Sequence, residues 1–351
     1  MSTNTSQPDL EHLLHEIAEQ PSVVARVLQA QREPMRALAD LIRRRRPRAL
    51  VLVARGSSDN AAVYGRYLFE ICNRQLTALA APSGMTLYDS GPRLDETVVI
   101  GISQSGQGED VVAYVRAARE QGATTVAIVN NETSPLASTA EWTLGCLAGP
   151  ELSVPATKTV TSQMTLLAQL SAALGGADAV GGLEELPHAL ERALGQREAA
   201  ARLARQLADS SAGSVIGRGF AFPPALEIAL KLKETSYTRA EPFSAADFFH
   251  GPVALVESGY SAIVLDCGGR STWPASDTAR EVQRRGGQAT LLQAGEISPV
   301  PDSLALQAPI PEPYAPIVLL ILGQLLAVEL ATARGLDPAR PRGLRKVTST
   351  R

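Results

Sequence analysis

A repeat with an offset of 163 residues constrains this chain more than any other feature. An apolar run ends at Arg55-Gly56, and a matching run ends at Arg218-Gly219. The segment Ile100-Gly101-Ile102-Ser103-Gln104-Ser105-Gly106 has its counterpart in Ile263-Val264-Leu265-Asp266-Cys267-Gly268-Gly269. A third apolar run, Thr124 to Val129, is echoed near Gln288 to Leu292. Three matches at nearly one offset indicate a duplicated β/α unit. The copies differ in that only the first keeps a serine-rich loop. That half reads as the anion holder, so the reacting groups are expected in the other.

Short Val- and Ile-rich runs predict strands at 49–54, 77–80, 97–102, 125–130 and 142–146, with helices over 60–72, 110–121 and 157–174. Strands buried on both faces are what a parallel sheet between helical layers requires. The second half repeats the theme with strands near 214–217, 261–266, 289–293 and 304–308. A long helix over about 183–209 precedes them, and an apolar helix from Pro316 follows. The predicted fold is α/β, with two tandem flavodoxin-like domains, each a parallel sheet flanked by helices. Ligands of such sheets sit beyond the C-terminal strand edge. The expected division is a helical segment over 1–45 broken at Pro21 and Pro34, an anion-binding domain over 46–175, a second domain over 183–340, and a tail over 341–351. The glycine-rich stretch Gly175–Gly182 is the expected linker.

A length of 351 residues suits two such domains, and a net charge of −3 gives no reason to expect a nucleic-acid or membrane-surface partner. The basic run Arg43 to Arg46 with Arg48 reads as a solvated helix end. Cys72, Cys146 and Cys267 lie far apart without a CxxC pair, and there are four histidines. Neither a disulfide framework nor a metal site is expected, and a reducing cytoplasm is the natural compartment. Residues Ser2 to Gln7 are polar, unlike a signal peptide. The apolar segment Ile317–Leu330 carries Gln324 and Glu329 and falls short of the roughly 20 residues needed to cross a bilayer. It is expected to be a buried helix.

The stretch Ser103-Gln104-Ser105-Gly106-Gln107-Gly108 follows a predicted strand and opens a predicted helix. Free N–H groups at such a helix start attract an anion, and the serine hydroxyls and Gln104 amide add donors. Ser57 and Ser58 close the preceding strand–turn–helix junction and are placed to reach the same crevice. No lysine occurs in this loop, so a monophosphate fits better than a nucleoside triphosphate. The plainer alternative is that these serines cap helices.

In the second half, Glu227, Lys231 and Glu234 stand at i, i+4 and i+7 on one helical face. An exposed salt bridge worth tenths of a kcal/mol is the alternative reading there. His250 lies in the aromatic setting Asp247-Phe248-Phe249-His250-Gly251-Pro252. Lys346 sits in the tail Pro341 to Thr348, whose prolines and apolar residues suggest packing.

Together these stretches, with Ala54-Arg55-Gly56-Ser57-Ser58, Ala156-Thr157-Lys158 and Ala225 to Tyr237, resemble the sugar isomerase (SIS) family. The resemblance is to the isomerase half of glutamine–fructose-6-phosphate aminotransferase and to the stand-alone SIS-type glucosamine-6-phosphate deaminases. It implies that Ser58, Ser103, Gln104 and Ser105 hold a sugar phosphate, with Gly108 beside them where the aminotransferase has threonine. Ser57, Val154 and Ala156 are implied as further substrate contacts. Glu234 matches the base moving a proton between C1 and C2, with Glu227 and Lys231 supporting it. His250 matches the ring-opening residue, which in this family can come from a partner subunit, and Lys346 matches the tail lysine acting on the open-chain sugar.

The implied reaction is isomerising deamination of glucosamine 6-phosphate to fructose 6-phosphate and ammonia by a cytoplasmic homodimer with a shared site, using no metal or other cofactor. The chain begins Met1-Ser2, with no N-terminal cysteine nucleophile, so glutaminase activity is not expected. Two alternatives stay open. One is action on another ketosamine or amino-sugar phosphate. The other is a sugar-phosphate sensor without turnover, against which stands the lack of a helix-turn-helix ahead of the first strand.

Overall fold

The computed structural model describes residues 9–175, 181–300 and 303–346. Three helices lead the chain: α1 (Leu10–Ala18), α2 (Gln20–Ala30) and α3 (Arg32–Arg45). Pro21 and Pro34 each lie in the first turn of the helix they help open, where no backbone amide is needed for the ladder.

The first α/β unit runs β1 (Ala49–Val53), α4 (Ser57–Ile71), β2 (Thr77–Leu79), α5 (Ser83–Tyr88), β3 (Thr97–Ser103) and α6 (Glu109–Glu120). It closes with β4 (Thr124–Val129), α7 (Pro135–Thr139), β5 (Trp142–Gly145) and α8 (Lys158–Leu174). Its strands are all parallel, in the order β2-β1-β3-β4-β5. Helices α9 (Leu186–Leu194) and α10 (Arg197–Leu207) lead to the second unit. There β6 (Ala212–Gly217), α11 (Phe222–Ser236), β7 (Arg239–Ser244), α12 (Ala245–Phe249) and β8 (Ser261–Asp266) come first. The unit ends with α13 (Thr272–Arg284), β9 (Gln288–Gly295), β10 (Leu304–Gln307) and α14 (Ala315–Ala333). Its parallel order β10-β9-β8-β6-β7, read from the other edge, is the same winding. Both sheets therefore have the flavodoxin-like order, and β1, β3 and β4 stand where β6, β8 and β9 stand in the second copy.

Among the departures from the sequence expectation are one strand and one helix. Strand β7 carries Glu241 and Pro242 and reads as a loop, yet it lies at the sheet edge, where proline's missing donor is tolerated. The expected long helix over 183–209 is parted at Gly195-Gln196 into α9 and α10. Residues 176–180 of the expected linker lie outside the described residues.

Helix α14 is apolar on all sides and packs against α9, α10, α11 and β9. It is long and apolar enough to cross a membrane by length and composition, and 89% of that span is buried inside the protein. The halves meet where α4 packs on α11 and α8 on α14. Tyr64 Oη donates to Pro313 O at 2.7 Å and Gln20 Nε2 to Gln324 Oε1 at 2.7 Å, so the contact carries satisfied polar groups. This packing brings the C-terminal edge of the first sheet against α11.

Candidate active site

The carboxyl ends of β1 and β3 open into a cavity of about 420 Å³. That size falls within the roughly 300–1,000 Å³ of small-molecule sites. After β1 the chain turns at Gly56, whose φ of +57° favours glycine, and Ser57 and Ser58 begin α4. After β3, Ser103 Oγ accepts from Gly106 N at 3.0 Å and Ser105 Oγ accepts from Gln107 N at 3.3 Å. These bonds curl the loop into the start of α6, where Gly108, Asp110 and Val111 line the cavity. Gly106 has φ +64°, and a Cβ there would collide with the Ser134 side chain. Glycine is needed at that position for both reasons.

Ser57, Ser58, Ser103, Gln104, Ser105 and Gly108 all line this cavity. So do Val154 and Ala156 from the loop before α8, Glu234 from α11 and Lys346 from the tail. Serine loops from one half and a carboxylate from the other thus border one space. Arg55 also lines it, with Nε donating to Asp110 Oδ2 at 2.6 Å at the start of α6. In the second copy the equivalent loop is already occupied by protein carboxylates. Asp266 replaces Ser103 and accepts from Gly268 N and Thr272 Oγ1 at 2.8 and 2.9 Å. Glu312 accepts from Arg270 N and Ser271 N at 3.0 Å each, so a protein carboxylate already takes the loop amides.

Glu227 and Lys231 lie beneath the cavity and do not line it. Their side chains are 1% and 3% exposed, so the exposed-salt-bridge reading fails. Helix α4 covers that face of α11 and supplies Asn60, whose Nδ2 donates to Glu227 Oε2 at 2.7 Å. Lys231 Nζ stands 2.5 Å from Glu234 Oε2, 3.4 Å from Glu227 Oε1, and donates to Ser57 Oγ at 3.4 Å. Burial pushes the Glu227 carboxyl above its ordinary value, partly countered by Lys231 and Asn60. Burial alone would lower Lys231, but the two carboxylates outweigh it and hold the ammonium charged. Glu234, 19% exposed at its side chain, is the member of this trio that reaches the cavity.

His250 follows α12, is exposed, and does not line the cavity of its own chain. The sequence thus brought together all its expected site residues but this one, with Glu227 and Lys231 one layer back.

Glu151 was not anticipated. It is buried, lines the cavity and accepts from Thr157 N and Thr159 N at 3.0 Å each and from Thr159 Oγ1 at 2.8 Å. It thereby caps the start of α8. Lys346 Nζ donates to its Oε2 at 2.6 Å. Burial pushes this carboxyl up, but Lys346 and the two amides outweigh it and hold it below the ordinary range. The signal available in sequence was a carboxylate shortly ahead of the helix start at Thr157-Lys158-Thr159.

A family model for the SIS domain matches residues 44–173 and again 206–334. The chain belongs to the SIS domain family. The two SIS matches fall on the two parallel sheets. The chain is 35% identical over 345 residues to the glutamine–fructose-6-phosphate aminotransferase (isomerizing) of Methanothermobacter thermautotrophicus, covering 95% of this chain and 56% of that one. It therefore spans little more than half the length of that relative. Among solved structures, a Silicibacter pomeroyi DSS-3 protein provisionally named a phosphosugar isomerase superposes with a TM-score of 0.84 at 31% identity, covering 93% of this chain and 99% of that one. A glucosamine-6-phosphate deaminase from Thermotoga maritima gives a TM-score of 0.74 at 21% identity, over 96% and 99% of the two chains, and speaks to the shared SIS fold alone.

Proposed function

We propose that this chain isomerises and deaminates an amino-sugar phosphate, converting glucosamine 6-phosphate and water to fructose 6-phosphate and ammonia. The observation that carries the reading is one cavity bordered by Ser103 and Ser105 on one side and by Glu234 and Lys346 on another. The serine loops would hold the phosphoryl group, whose binding energy orients the distant reacting carbons. Ring opening frees the C1 aldehyde. Glu234 takes the C2 proton and returns it to C1, while a donor at O1 completes the hydroxyl. Water then adds to the C2 iminium, and ammonia leaves.

Lys231, held charged between Glu227 and Glu234, keeps the Glu234 carboxylate in place for this transfer. Lys346 acts at the carbonyl end of the open chain. His250, exposed on its own chain, enters the scheme from the second protomer of a cytoplasmic homodimer. The kinship with aminotransferases supports amino-sugar phosphates over plain hexose phosphates.

Ammonia release on adding glucosamine 6-phosphate is the direct assay. Glu234→Gln should lower turnover by about 10²- to 10⁴-fold, the usual contribution of a positioned acid–base group. Undiminished turnover would remove Glu234 from this role.

A further inference from the structure

We infer that Glu151 is the group that reads the substrate nitrogen, and that Lys346 occupies its place as an internal stand-in ammonium. The inference rests on the amino-sugar phosphate reading and deepens it. Among the described residues three carboxylates border the cavity: Asp110, Glu151 and Glu234. Asp110 is neutralised by Arg55 at the mouth of the serine loop, and Glu234 by Lys231 one turn back on its own helix. Both cations belong to the framework around the sheets. Glu151 differs. Its bonds to Thr157 and Thr159 come from neutral donors and fix it rigidly at the start of α8. Its one directly bonded cation among the described residues comes from the C-terminal tail.

Among the described residues, the tail's contacts with the rest of the chain include Arg342 N donating to Tyr237 Oη at 2.9 Å and the Arg342 guanidinium lying 4.0 Å above the Tyr237 ring. If Lys346 swings toward the sugar carbonyl, Glu151 is left ionised and buried without a directly bonded countercharge, which is strongly unfavourable. An incoming primary ammonium is the same chemical group as the one that left and can bond the same Oε2. An amino sugar restores the pair, whereas a hydroxyl at C2 supplies only a neutral donor. Glu151 would thereby select nitrogen-bearing sugars, and a nitrogen cation would occupy it before and after the lysine moves.

Two non-reacting ligands test this: glucitol 6-phosphate and 2-amino-2-deoxyglucitol 6-phosphate, titrated calorimetrically against the full chain. The unaltered protein should bind the amino compound at least tenfold more tightly. Glu151→Gln should erase that preference while changing the affinity for glucitol 6-phosphate by less than threefold. Lys346→Met leaves Glu151 intact without its stand-in and should widen the preference further, which keeps the test open should Glu151→Gln fold poorly. Equal binding of the two ligands by the unaltered protein, or a preference that survives Glu151→Gln, would overturn the inference while leaving the sugar-phosphate reading in place. Failure of both ligands to bind would overturn that reading and this inference with it.

Discussion

Lys346 and Glu151, separated by 195 residues in sequence, meet through a 2.6 Å bond between Nζ and Oε2. The contact ties the C-terminal tail to the start of α8 and closes one side of the cavity. Its pH dependence follows from Glu151. The folded carboxyl titrates below its ordinary value near 4.5, so its contribution is fully present above that pH and is lost as pH falls through the folded value. Glu151→Gln should lower stability at pH 7 by about 1–3 kcal/mol, the cost of disturbing a buried hydrogen-bonded group. Urea denaturation of both proteins should show the gap closing below about pH 4.5. A gap independent of pH would contradict this account.

The buried trio on α11 makes a second prediction. Lys231→Met leaves Glu227 and Glu234 facing each other without their cation, and should cost about 3–5 kcal/mol. Adding Glu227→Gln should recover part of that loss, because it removes one of the two uncompensated charges. Thermal or urea melts of the single and double variants provide the comparison. A double variant less stable than the single one would argue that Lys231 does not serve to neutralise Glu227.

The serine loop should govern affinity more than turnover. Ser103→Ala removes a hydroxyl facing the cavity and also the acceptor for Gly106 N, which shapes the loop. Losing one such polar contact is worth about 1–3 kcal/mol, so KM for glucosamine 6-phosphate should rise roughly 5- to 150-fold. Inorganic phosphate, tested as a competitor, should weaken in parallel. A fall in kcat with unchanged KM would instead place Ser103 at the reacting carbons.

His250 makes a prediction about assembly. If it works from the neighbouring protomer, His250→Ala and Glu234→Gln proteins should each be nearly inactive alone. Mixing them under conditions that exchange subunits should restore activity, since some mixed sites then contain both native residues. Ammonia release before and after exchange measures this. Two inactive proteins that stay inactive after proven exchange would remove the shared site.

Much of the fold was legible because the central strands β1, β3 and β4 are buried on both faces and read as short, Val- and Ile-rich runs. The duplication made three strands visible twice, with β1, β3 and β4 echoed in β6, β8 and β9. Strand β7 escaped because Glu241 and Pro242 are compatible only with an edge, and edge position is a property of the whole sheet. Within the site, the serine loops were readable from local pattern, since a strand–turn–helix junction positions its own amides. The burial of Lys231 was not, because the cover over that face comes from α4, more than 150 residues earlier. Glu151 carried only the weak signal of a carboxylate ahead of a helix start: its local sequence Gly149-Pro150-Glu151-Leu152 reads as a loop, and its significance lies in a tail that returns across the whole chain.

The most direct measurement is a crystal of the protein soaked with glucosamine 6-phosphate. Phosphorus density within bonding reach of Ser103 and Ser105, with C1 and C2 turned toward Glu234 and Lys346, is the predicted result. A phosphoryl group bound elsewhere, or a sugar whose reacting carbons point away from Glu234, would contradict it.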